Sequence, residues 1–105
     1  PGMPGLNVPT VGYDGTLVRS VRLDDYVKEP FRLLKIDVEG YGFHVLNGAD
    51  RLVRESRGLV VIEVHNHGES HSTFLYLTER GWRLEKTFEI TVSGDIYHAN
   101  KVYVK

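Results

Sequence analysis

The chain has 105 residues, 13 basic against 14 acidic, and no cysteine. That length makes one domain with a modest core, the near-zero net charge argues against a dedicated nucleic-acid or anionic-membrane surface, and without cysteine neither a disulfide framework nor a thiolate zinc site is possible. No apolar stretch is long enough to span a bilayer and no signal-peptide pattern appears, so a soluble cytoplasmic domain is the default expectation.

Residues 1–15 hold most of the prolines and several glycines and read as an irregular lead-in, leaving 16–105 as a single α/β domain. Thr16 to Leu23 alternates like a strand, with arginines that suit an edge position. Asp24 or Asp25 is a candidate cap for a short helix over Asp25–Glu29, which Pro30 ends. Leu33, Leu34, Ile36 and Val38 form the short apolar run of a central parallel strand. Asp37 and Glu39, two apart, project to one side of its carboxyl end. Gly40 and Gly42 permit a sharp turn. Helical spacing then places Val45, Leu46, Ala49, Leu52 and Val53 on one stripe, predicting a helix from about Tyr41 to Ser56, with Gly48 marking close packing or a kink.

Leu59 to Val64 is a second apolar run, expected to lie parallel to the first through a βαβ crossover. Gly68–Ser72 reads as a polar turn, with Ser70 or Ser72 capping a helix that ends near Arg80 and packs through Phe74, Leu75 and Leu77. From Trp82 to Val92 the period becomes two, with Trp82, Leu84, Phe88, Ile90 and Val92 on one face. Ser93-Gly94-Asp95 signals a turn, and Ile96–Val104 completes an antiparallel pair at a sheet edge.

Glu63, His65 and His67 alternate where the second run ends, beside Asp37 and Glu39 on the first. In open α/β sheets, ligands bind beyond the carboxyl ends of the strands. Two chemistries suit such a set. One member, His65 above all, can take a proton as general base near neutral pH; or carboxylates and imidazoles can hold a divalent metal, with Asp37, Glu39, His65 and His67 as the ligand set. His71 extends the histidine series, while His44 and His98 have no evident partner. Each of these residues also has a structural reading, as a turn cap, an acceptor of backbone N–H groups or a solvated loop side chain.

The string LLKIDVEG followed by VLNGA, with LDD (Leu23 to Asp25) upstream and VVIEVH (Val60 to His65) downstream, resembles the FkbM-type methyltransferases, which use S-adenosylmethionine. The resemblance runs from Thr16 onward. It departs at Gly42, where the family usually has a second glutamate. It implies a Rossmann-like methyltransferase fold, present as its carboxyl-terminal half: a mixed sheet with parallel central strands and an antiparallel C-terminal pair. No strand leading into a glycine-rich cofactor loop occurs in this sequence. The resemblance further implies Asp37, Glu39 and His65 as catalytic residues, Asp24 and Asp25 near the adenine of S-adenosylmethionine, no required metal, and O-methyl transfer to a sugar or small-metabolite hydroxyl. Against this stands a non-catalytic α/β module that self-associates, or a divalent-metal-binding domain. A central parallel strand without a neighbour leaves an open edge, so a homodimer, or a partner chain supplying the missing strands, is expected.

Overall fold

The computed structural model describes residues 8–11, 17–38, 40–94 and 96–105. In chain order the elements are β1 (Val8–Val11), β2 (Leu17–Ser20), α1 (Leu23–Tyr26), β3 (Leu33–Ile36), α2 (Gly42–Asn47), α3 (Asp50–Glu55), β4 (Leu59–Asn66), α4 (His67–Glu79), β5 (Arg83–Ser93) and β6 (Ile96–Val104). β3 and β4 run parallel, from Leu33 opposite Leu59 to Ile36 opposite Ile62, with α2 and α3 between them. β6 joins β4 antiparallel and β5 joins β6 antiparallel, giving a four-stranded sheet in the order β3-β4-β6-β5. The fold is therefore α/β with a mixed sheet, as the two apolar runs and the alternating C-terminal segments imply.

Helices cover one face of this sheet. Ile36, Val60, Ile62, Val64, Tyr97, Ala99 and Tyr103 form one buried cluster with Leu46, Leu52 and Val53 of the crossover and Tyr76 and Leu77 of α4. The stripe read from the sequence is thus the buried one. The shortest dimension of the molecule, 19 Å, is that of one sheet and one helix layer. β4 alternates buried and half-exposed residues rather than being buried on both sides, because its second face carries no helix among the described residues. Among the described residues no helix is long and apolar enough to cross a membrane.

Several expectations change. Val8–Val11, within the stretch read as irregular, is a strand that pairs with β2 as a separate two-stranded sheet. β2 is shorter than Thr16–Leu23 and does not pair with the main sheet, so β3 is an edge strand among the described residues rather than a central one. α1 starts at Leu23 instead of Asp25, and neither aspartate caps it: its N-cap, Arg22, makes no side-chain cap bond.

The predicted helix over 41–56 is two helices, broken at Gly48–Ala49. The break follows from what docks there. The Asp24 N–H donates to Gly48 O at 3.0 Å, and the Asp24 carboxylate accepts from the backbone N–H groups of Arg51 (2.8 Å) and Leu52 (3.1 Å). Asp24 therefore caps α3 from a distant segment, satisfying donors that a helix start leaves open.

α4 begins at His67, so Gly68–Ser72 is helix rather than turn. Asn66 is its cap, Oδ1 accepting from Glu69 N at 2.7 Å. Its inner face is not the one expected: Thr73, Tyr76 and Leu77 are buried, whereas Phe74 and Leu75 are exposed. On β5 burial stops at Leu84, and Phe88, Ile90 and Val92 are exposed, as two register shifts carry the outer half of the hairpin beyond the helices.

The helix layer is pinned by Asp50. Its carboxylate accepts from Arg54 Nε and Arg80 Nε, both at 2.8 Å, and from the Tyr76 hydroxyl. Burial opposes its ionisation, but these three donors outweigh burial and hold the carboxyl well below the usual carboxylate range. Burial and the same contact push the Tyr76 phenol up. At the far end of the strands Gly58 has φ 127, and a Cβ there would lie 2.1 Å from Arg32 O. Only glycine fits where β4 starts against β3.

Candidate functional site

The site grows out of the register. Ile36 is opposite Ile62 and ends β3, so Asp37 follows that end level with Glu63, which lies inside β4. Asp37 is exposed there. Glu39 lies outside the described residues. Glu63 pairs across the sheet with Asn100 of β6. The register then slips between Val64 and Asn66, and this bulge brings His65 beside His98.

Three side chains converge on the sheet face that bears no helix. His65 Nε2 lies 3.0 Å from Glu63 Oε1, and His98 Nε2 lies 3.2 Å from Glu63 Oε2. The two imidazoles stack with centroids 4.5 Å apart and planes 23° from parallel. Both Nε2 atoms are buried, yet neither has a hydrogen-bond partner. The approach to the carboxylate is thus short but off the N–H axis.

Behind this cluster sits a carboxylate that the sequence reading passed over. Glu69, buried in the first turn of α4, accepts from the His65 N–H at 2.7 Å through Oε1 and from the Gly42 N–H at 3.0 Å through Oε2. It ties the β3–α2 turn to the end of β4 and fixes the backbone that carries His65. Gly42 gives this contact its room: a Cβ there would meet Ile62 Cδ1 at 2.8 Å and Glu69 Oε2 at 3.0 Å, so those side chains would have to shift. Where the resemblance has a second glutamate, this chain brings a carboxylate in from another element.

The remaining candidates separate. His67 opens α4 and stacks on Tyr97, centroids 4.7 Å apart, rather than joining His65. His71 is exposed one turn further along α4. Among the described residues the group whose ligand atoms lie together is Glu63, His65 and His98, while Glu39 lies outside them. Both Asp24 oxygens are occupied by α3, while Asp25 Oδ2 is buried without a hydrogen-bond partner.

On the helix-covered face, Lys101 is buried and donates to the Tyr97 hydroxyl at 2.8 Å and Thr87 Oγ1 at 3.3 Å. Burial, with the neighbouring Tyr97, pushes the Tyr103 phenol up to about 12. A groove of about 430 Å³ lined by Pro30, Phe31, Arg32, Glu55, Arg57 and Gly58 lies at the amino-terminal ends of β3 and β4, away from the carboxylate–imidazole cluster.

His98 is the functional candidate least visible in the sequence, since only strand pairing connects it with His65. Glu69 did leave a signal: Asn66-x-x-Glu69 has the spacing of a helix cap and its third residue.

No curated protein and no solved structure matches the chain. The family described as the methyltransferase FkbM domain matches residues 4–84, which spans β1 through the start of β5 and includes Asp24, Asp25, Asp37, Gly42, Glu63, His65 and Glu69. The chain belongs to the FkbM methyltransferase domain family.

Proposed function

We propose that this chain forms the acceptor side of an S-adenosylmethionine-dependent methyltransferase with a Rossmann-like sheet, acting in the cytoplasm on a hydroxyl of a sugar or other small metabolite. The observation that carries the reading is the pairing of Glu63 with His65 at the shared carboxyl end of two parallel strands, in a chain whose family is that of methyltransferases. When bound, S-adenosylmethionine supplies an electrophilic methyl group on a sulfonium. Asp25 is the acid free to hold the adenine amine, because its buried Oδ2 lacks a donor, whereas Asp24 is committed to α3. The glycine-rich loop comes from further chain or from a partner.

His65 then serves as general base. Its Nε2 faces Glu63, so Nδ1 would be the atom that takes the acceptor's hydroxyl proton, the methyl group being what the cofactor would supply. Glu63 stabilises the imidazolium, and Asp37 lies at the rim to receive the acceptor's other hydroxyls. The face carrying this cluster exposes Leu33, Leu59, Phe88 and Ile96, and the outer edge of β3 pairs with no described strand. Both features favour a second copy or a partner chain against this side.

The test is methyl transfer and cofactor binding, measured on the chain together with the segment that carries the glycine loop. His65→Gln is expected to lower kcat about 100-fold and abolish the basic dependence of its pH profile, with cofactor affinity unchanged. Asp25→Asn should weaken cofactor binding, and Asp24→Ala should reduce stability instead. Methyl transfer that survives His65→Gln with an unaltered pH profile would overturn the assignment.

A further inference from the structure

We infer that Glu63, His65 and His98 form a binding site for a divalent transition metal of the zinc class, in which each histidine contributes Nε2 and Glu63 contributes its carboxylate. The inference is independent of methyl transfer and rests on the described geometry. All three ligand atoms lie within 4.8 Å of one another. Ligands bound at 2.0–2.1 Å in a tetrahedral array lie about 3.3 Å apart, and the two nitrogen–oxygen separations here are 3.0 and 3.2 Å. The donor set, two imidazoles and one carboxylate, is one that zinc uses with a fourth position left for water.

A second observation points the same way. An ion pair kept for stability would align an N–H with a carboxylate oxygen, because an unmade bond at a buried nitrogen is costly. Here both Nε2 atoms are buried and make no hydrogen bond although an oxygen is within 3.2 Å of each. Two built features hold the cluster: the bulge between Val64 and Asn66 sets His65 against His98, and Glu69 fixes the His65 backbone. A cation on Nε2 keeps the His65 ring as its Nδ1–H tautomer, so metal occupancy and the base role exclude each other. Loading would switch the ring from proton acceptor to ligand.

The experiment is calorimetric titration of the full 105-residue chain with Zn²⁺ alone, and with Co²⁺ followed by its visible absorption. One equivalent is expected to bind, with the Co²⁺ spectrum of a nitrogen- and oxygen-ligated ion. His98→Gln and Glu63→Gln should each weaken binding by about tenfold or more, and Zn²⁺ should raise the Tm of the parent chain but not of these variants. His67→Gln and His71→Gln should bind as the parent does. Glu63→Gln keeps the shape of the side chain, so it answers the question if His98→Gln alters folding by circular dichroism. Affinity unchanged in both His98→Gln and Glu63→Gln, no binding by the parent, or loss of binding in His71→Gln would each refute the site.

Discussion

The two faces of the four-stranded sheet are made by the same strands yet are put to different use. On the helix-covered face, Val60, Ile62 and Val64 of β4 meet Leu46, Leu52 and Leu77, and charge is committed: Glu69 to two backbone donors, Asp50 to three side chains, Lys101 to two hydroxyls. On the other face, the same strand presents Glu63 and His65, whose short contact makes no hydrogen bond, beside exposed Leu33, Phe88 and Ile96. The contrast separates the residues that make the chain fold from those left over for chemistry. Glu69, Asp50 and Lys101 are satisfied there because burial without partners costs free energy, and the Tyr103 hydroxyl is the exception, buried without a hydrogen-bond partner. On the second, the His65 and His98 Nε2 atoms are buried without a hydrogen-bond partner.

The comparison can be broken most directly by truncation. Leu46→Ala should cost about 3 kcal/mol, through lost burial and the cavity left behind. Phe88→Ala, at a side chain 52% exposed, should cost below about 0.5 kcal/mol. Urea unfolding of both variants measures the difference, and equal losses would mean that the second face is covered too.

Glu69→Ala comes next. It strands the N–H groups of Gly42 and His65 and should cost about 2 kcal/mol, while Glu69→Gln, which keeps one acceptor, should recover roughly half of that. A loss in Ala that Gln does not reduce would show that Glu69 acts by charge alone.

The smallest effect concerns Asp50. Its folded-state value is depressed below the ordinary 3.8, so its contribution is present above that value and is lost as pH falls through the acid range. Asp50→Asn should cost about 1 kcal/mol at pH 7, and the gap to the parent should narrow below about pH 4. A gap that stays constant down to pH 3 would place the stabilisation in shape rather than in charge.

What was legible beforehand was whatever depends on short-range pattern. Two short apolar runs joined by a helix implied the parallel pair of β3 and β4, and the 3.6 period picked out Leu46, Ala49, Leu52 and Val53. Alternation put Glu63 and His65 together at a strand end. What stayed hidden depends on registers set at a distance. His98 reaches His65 only because a hairpin with two slips and a bulge in β4 bring them level. Asp24 reads as the cap of its own helix but caps α3, since α1 lies against the break at Gly48. Phe74 and Leu75 were assigned to the core as apolar residues, whereas the inner stripe of α4 runs through Glu69, Thr73, Tyr76 and Leu77. The edge position of β3 could not follow from its composition, which suits a strand flanked on both sides.

Strand β4 ends at Asn66 and helix α4 begins at His67, with nothing between them. A joint without slack transmits any change in length. Inserting one residue would spin the helix by about 100° or flip the strand's alternation, and either would pull Glu69 away from both amides and swing His65 off its neighbours. Variation in length across this family should therefore collect in the connections around residues 28–32 and 93–96 and spare this junction, where the ruler that spaces the cluster has no adjustable part.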